Sequence, residues 1–250
     1  MKPMKNNGGV QAFLAADGLS IKEKQKPTLT ILDELDATGL PYGIKINLDL
    51  VTLLGLKGAV ELVQGYDRPI FVDLKMKNGK GTMSRVAQQL VNLEVDFFNV
   101  YAIADSQLSG VVEVVEDTNT KVIGVSELTH YANTHYQKHY QRDIGPETIL
   151  LVKTVIDAKL HGALFPGTQL ETVMRNVPGA ASIMRVNPGI RKKGYTGKKH
   201  QQDITAAEAE DKGATHVVLG SIVMKDKNPA KALELSLADL RGEPQPTEGT

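Results

Sequence analysis

Ile70-Phe71-Val72-Asp73-Leu74-Lys75-Met76-Lys77-Asn78-Gly79-Lys80-Gly81-Thr82 reads as a buried β-strand that runs into a glycine-rich turn. Side chains alternate faces along a strand, so Asp73 and Lys75 share one face and Ile70, Val72, Leu74 and Met76 share the other. An acid and a lysine turned inward at a strand's C-terminal end need partners, because burying a charge is costly unless it is paired. On its own, Asp-x-Lys reads equally well as a structural ion pair or as a functional one. The rest of the chain has to decide.

Outward from this stretch, short apolar strands alternate with helical patterns. The strands fall near 11–17, 43–48, 70–76, 96–102, 121–128, 162–166, 182–187 and 216–221. The helices fall near 28–38, 50–65, 82–93, 105–116, 146–159, 168–176, 205–213 and 228–241. Eight β-α pairs in 250 residues predict a (β/α)8 TIM barrel. A doubly wound open sheet is the alternative, and the regularity of the eight units favours the barrel. The expected organisation is an N-terminal extension over 1–10, one barrel domain over 11–241 and a flexible tail over 242–250. The tail is rich in Gly, Pro and Glu.

Composition narrows the function classes. Lys+Arg and Asp+Glu both number 29, so no net charge draws the chain to nucleic acid or to a membrane surface. Without cysteine, disulfides, thiolate metal sites and Cys nucleophiles are excluded. No apolar run reaches membrane-spanning length, and Met1 to Gly9 is too polar for a signal peptide, so the expected compartment is the cytoplasm.

In a barrel the active site lies at the C-terminal ends of the strands. Asp17 ends strand one. Lys45 and Asn47 lie on strand two, Asp73 and Lys75 on strand three, Asn99 and Tyr101 on strand four. Ser126-Glu127-Leu128-Thr129-His130 follows strand five, Asn187-Pro188-Gly189-Ile190-Arg191 ends strand seven, and Gly220-Ser221 ends strand eight. Adjacent strands are about 4.8 Å apart, so Lys45 and Asp73 are within reach of one another. An alternating Lys-Asp-Lys array offsets much of its own desolvation, and at a barrel mouth it points to function. His135 and His139 are four residues apart but have no acidic third ligand near them in sequence, so they read as surface or capping residues.

The central stretch resembles the Asp-x-Lys-x-x-Asp signature of the orotidine 5'-monophosphate decarboxylase superfamily. Asn78 stands where the signature has its second Asp, and Thr82 where Thr often follows. Asp17, Lys45, Thr129, the Asn187-Pro-Gly-Ile-Arg run, Gly220 and Asn228-Pro229 extend the likeness over nearly the whole chain. The resemblance implies decarboxylation of orotidine 5'-monophosphate to uridine 5'-monophosphate in pyrimidine biosynthesis, without cofactor or metal. Lys75 would be the proton donor in a Lys45-Asp73-Lys75 array, and Asn78 would weaken it. Asp17, Thr82, Thr129, Pro188, Gly189, Arg191, Gln201, Gly220 and Ser221 would bind the nucleotide, in a homodimer whose third-strand turns exchange residues between sites. Ser221 replaces the Arg that usually grips phosphate in the family, so Arg191 and neighbouring lysines are the candidate substitutes. Two alternatives stay open: a sugar-phosphate decarboxylase or aldolase on the same barrel, and an impaired homologue that binds a nucleotide without turning it over.

Overall fold

Apolar residues spaced three and four apart place each helix against a strand. In α3 (Lys80–Asn92) Met83, Ala87 and Leu90 are buried, and in α6 (Ile144–Asp157) Leu151, Val152 and Val155 are. The computed structural model of the chain describes residues 9–17, 27–192 and 202–243. Gln201, lysines 193, 198 and 199, most of the expected N-terminal extension and residues 244–250 of the expected tail lie outside the described residues.

The barrel strands are β1 (Gln11–Ala16), β2 (Gly43–Asn47), β3 (Ile70–Met76), β4 (Phe97–Tyr101), β5 (Lys121–Val125), β6 (Gly162–Leu164), β7 (Met184–Asn187) and β10 (His216–Leu219). They pair in parallel and close in the order β1-β10-β7-β6-β5-β4-β3-β2. This is the (β/α)8 barrel predicted from the sequence. Around it run α1 (Thr28–Asp36), α2 (Leu48–Gln64), α3, α4 (Ser109–Val115), α6, α7 (Leu170–Asn176), α8 (Ala206–Asp211) and α10 (Pro229–Asp239). Local chemistry sets several helix starts. Thr205 and Glu208 form a reciprocal capping box at α8, and Asn228 caps α10 ahead of Pro229 at its first turn.

Four features depart from the sequence reading. The helix expected over 105–116 begins as a 3-10 segment over residues 102–108, broken at Asp105, and becomes α-helical only from Ser109. A short helix, α5 (Asn133–Tyr140), occupies a stretch left without structure, and its weak amphipathicity explains why periodicity does not find it. After β7 a two-stranded pair, β8 (Ile190–Arg191) with β9 (Ile204–Thr205), closes the ends of the loop between them. The extra turn α9 (Ser221–Met224) follows β10. Among the described residues no helix is long and apolar enough to cross a membrane.

The barrel interior has two storeys. The lower one is aromatic: Phe13 packs edge-on against Phe71 and Phe97 at centroid distances of 5.4 and 5.2 Å, and the His216 ring stacks on it at 5.9 Å. Gly43 makes room for this layer, since a Cβ there would lie 2.5 Å from the Phe13 ring. Burial drives the His216 pKa down to about 4, helped by the buried Arg185 cation nearby. The upper storey is charged.

Candidate active site

Each polar residue of the upper storey sits one strand step above an apolar one, because strand residues of one parity face the barrel axis. Lys45 follows Gly43 on β2, Asp73 follows Phe71 on β3, and Asn99 follows Phe97 on β4. Lys45 and Asp73 are each 5% exposed and Asn99 is fully enclosed. The Lys45 Nζ donates to Asp73 Oδ2 at 3.0 Å, and the Lys75 Nζ donates to Asp73 Oδ1 at 2.5 Å. Asn99 Nδ2 donates to the same Oδ1 at 2.7 Å. At the rim, Lys45 also donates to Asn47 Oδ1, Asn47 donates to Asp17 Oδ1, and the Lys45 ammonium lies 3.8 Å from Asp17. The alternating array expected from the sequence is therefore a connected network.

The electrostatics follow from this geometry. Burial by itself would raise the Asp73 pKa. The Lys45 and Lys75 ammonium groups, with the hydrogen bonds from Lys75 and Asn99, outweigh burial and hold the carboxyl well below the usual carboxylate range. Asp73 stays ionised, and its charge keeps two cations in a site with an apolar floor.

Lys75 does not sit on a regular strand. The register between β3 and β4 shifts between Val72 and Met76, and Lys75 has φ +49°. That left-handed conformation costs a residue with a Cβ about 1–2 kcal/mol. The bulge returns the Lys75 side chain to Asp73, as bulges beside active sites commonly re-aim a side chain. The Lys75 side chain is 28% exposed against 6% for Lys45, so its ammonium faces the mouth while Lys45 is enclosed.

Asn78 and Thr82 fall elsewhere. Asn78 is exposed, and its Oδ1 accepts from the Gly79 N–H in its own turn at 2.8 Å. Thr82, in the first turn of α3, lies beside Arg85 at 3.4 Å. Within one chain neither bonds to the Lys75 network. The second-Asp position is thus not brought beside Lys75 by the fold of a single chain.

On the opposite side of the mouth, Thr129 is buried with its methyl group against Gly189. Gly189 takes φ +84°, and a Cβ there would come within 3.1 Å of the Gln202 carbonyl oxygen. Glycine is needed at this close approach of the two loop ends, with Pro188 just before it. Arg191 is nearly buried. Its Nε lies 3.4 Å from Asp203 Oδ2 and its Nη1 donates to the Ile190 carbonyl at 2.9 Å. Arg191, the loop cation expected at the phosphate, is set against Asp203 by the β8–β9 pair. Gly220 and exposed Ser221 follow β10, next to β1 around the barrel.

A second polar cluster joins residues that the sequence shows only singly. A cavity of about 320 Å³ is lined by Lys77, Tyr101, Glu127, Tyr131, His135 and Tyr140 among others. Buried Glu127 accepts from the Tyr140 hydroxyl. Burial and the Glu127 charge push the Tyr101 pKa up to about 12, so that hydroxyl stays protonated. The His135 and His139 rings are 4.6 Å apart, and no group of three His, Cys, Asp or Glu side chains among the described residues is placed to hold a metal ion. The signal for this cluster is the run of tyrosines and histidines over 130–140, readable only once α5 is known to pack beside α6 and to bring Tyr140 to Glu127.

Comparison with known proteins agrees with this geometry. The chain is 27% identical over 217 residues to the orotidine 5'-phosphate decarboxylase of Staphylococcus aureus strain Newman, a match covering 84% of this chain and 90% of that one. The fold matches the crystal structure of orotidine 5'-phosphate decarboxylase from Lactobacillus acidophilus with a TM-score of 0.73 at 18% identity, over 92% of this chain and 99% of that one. The corresponding structure from Pyrococcus horikoshii OT3 matches with a TM-score of 0.71 at 20% identity, over 93% and 100%. The profile of one family matches residues 13–235, which span the array, the mouth and the barrel strands from within β1 to β10. The chain belongs to the orotidine 5'-phosphate decarboxylase / HUMPS family.

Proposed function

We propose that this chain is a carbon-carbon lyase that decarboxylates orotidine 5'-monophosphate to uridine 5'-monophosphate. The observation that carries the reading is the Lys45-Asp73-Lys75 network, set over an apolar floor with only Lys75 turned to the mouth. As the bond from C6 to the carboxylate breaks, CO2 leaves and the electron pair stays on C6. The Lys75 ammonium stabilises that developing carbanion and then delivers a proton to C6. The neutral amine regains a proton from water. Asp73, kept ionised, holds Lys75, and Lys45 keeps Asp73 fixed and reaches toward Asp17 at the ribose side. The donors are in place before charge develops, so little reorganisation is needed in the reaction itself.

In this reading Thr129 contacts the pyrimidine, Pro188, Gly189, Gly220 and Ser221 border the phosphate, and Arg191 supplies cationic charge there. Binding of the remote phosphate then orients the ring. Asn78, exposed in the turn after β3, and Thr82, exposed at the start of α3, act on a second chain in a C2 homodimer. Loss of absorbance as orotidylate becomes uridylate tests the activity directly. Turnover of a sugar phosphate that depends on Mg²⁺, with none of orotidylate, would replace this reading by the sugar-phosphate one. A ligand-raised melting temperature without turnover would mark a binding-only homologue.

A further inference from the structure

We propose that Asn99 is a positioning residue for this reaction, one amide that fixes both ends of Lys75. The inference rests on the reading of Lys75 as proton donor. Asn99 has no exposed surface, and both halves of its side chain are used. Its Oδ1 accepts from the Lys75 backbone N–H at 2.7 Å, and its Nδ2 donates to Asp73 Oδ1 at 2.7 Å. The orientation of the amide is forced. A backbone N–H can only donate and an ionised carboxylate can only accept, so a flipped amide would lose both bonds.

The bulge explains why such a residue is needed. Where the β3–β4 register slips, Lys75 turns to φ +49°, and its N–H is met by a side chain of the next strand. Asn99 Oδ1 thus holds the bulge. Asn99 Nδ2 and the Lys75 ammonium meet the same oxygen of Asp73, while Lys45 takes the other. Backbone and ammonium of Lys75 are tied to one rigid group, directly at one end and through Asp73 at the other. An apolar residue of the same volume would fill the space and leave the Lys75 N–H and Asp73 Oδ1 each a partner short. A misplacement of about 1 Å in such a group can cost about 100-fold in rate.

Three measurements on the full chain test this. Asn99→Ala is expected to lower kcat on orotidylate by about 100-fold, with KM changed less than about threefold. Hydrogen exchange followed by NMR should show the Lys75 amide losing protection while the β5 and β6 amides keep theirs. Asn99→Asp preserves volume and serves if the alanine variant fails to fold. As a carboxylate it keeps the acceptor for Lys75 and loses the donor for Asp73. Once protonated it offers one donor and one acceptor, like the amide. Its kcat, relative to the parent at each pH, should therefore rise as pH falls from 8 to 5. A kcat profile parallel to the parent's, or an alanine variant with parental kcat, overturns the proposal. If the parent chain does not turn over orotidylate, the substrate reading fails. Lys75 amide exchange still decides the role of Asn99, and unchanged protection in Asn99→Ala would refute it.

Discussion

The two lysines of the array touch the same carboxylate, yet their replacement should have different consequences. Lys75→Ala removes the proposed proton donor and one cation. Asp73 keeps the Lys45 ammonium at 3.0 Å and the Asn99 amide at 2.7 Å, so it remains paired. The Lys75 side chain is 28% exposed, so water can enter the space. Stability should change by no more than about 1 kcal/mol, a few degrees in Tm for a chain of this size. Activity should collapse. A positioned general acid contributes about 10²–10⁴-fold and a preorganised electrostatic donor about 10²–10³-fold, so kcat/KM should fall by at least about 10⁴. Lys45→Ala acts on an enclosed residue that joins Asp73, Asn47 and Asp17. Breaking a buried pair costs about 3–5 kcal/mol, and since Asp73 keeps Lys75, the lower end applies. That is a Tm loss of about 10 °C. Orotidylate turnover followed by absorbance, beside thermal melts by circular dichroism, separates the two. A Lys75→Ala variant that retained a tenth of the parental activity would refute its assignment. Equal Tm losses in the two variants would refute the division of labour.

His216 gives a pH prediction. Its folded pKa is about 4 against 6.5 in the unfolded chain, so between these values the unfolded state binds more protons and stability falls as pH falls. The full loss is about 3 kcal/mol, reached below pH 4, and it should be absent from His216→Phe in urea melts at pH 4 and 7. A parental pH dependence in that variant would sink the argument. Asn78→Asp should raise kcat/KM on orotidylate at least about tenfold, roughly 1.4 kcal/mol, by placing a carboxylate opposite a second chain's Lys75 in the proposed dimer. Sedimentation showing an active monomer would remove the basis for that effect. Arg191→Ala should raise KM for orotidylate far more than it weakens binding of the unphosphorylated nucleoside. Equal effects on both would confine Arg191 to holding Asp203.

Much of the site was legible because strand parity is a local property. Asp73, Lys45 and Asn47 face inward as alternation requires, and the strand ends collect at one mouth because a parallel barrel allows nothing else. Alternation accounts for the face of Lys75 only in part. Alternation aims it inward, but it sits where the register against β4 shifts, at φ +49°, with its N–H donating to Asn99 of β4. Asn99 was visible as a polar residue at a strand end, without any sign that both halves of its amide were needed. Arg191 looked like a loop cation because its partner Asp203 lies across a loop whose ends only the β8–β9 pair brings together.

The eight-fold alternation, the (β/α)8 barrel, the charged array and the strands that carry it are legible in the residues alone. These depend on periodicities of two and 3.6 residues, which any short window of chain displays. Tertiary structure alone decided which oxygen of Asp73 each lysine takes, the left-handed backbone of Lys75 and the burial of Arg191. It also decided the aromatic floor with His216 and the turn of Asn78 away from its own chain's array. Most of these depend on contacts between residues distant in the chain: Lys45 with Asp73, Lys75 with Asn99, Arg191 with Asp203 and Phe13 with His216. Their distances are fixed by closure of the barrel and not by any local preference of the backbone.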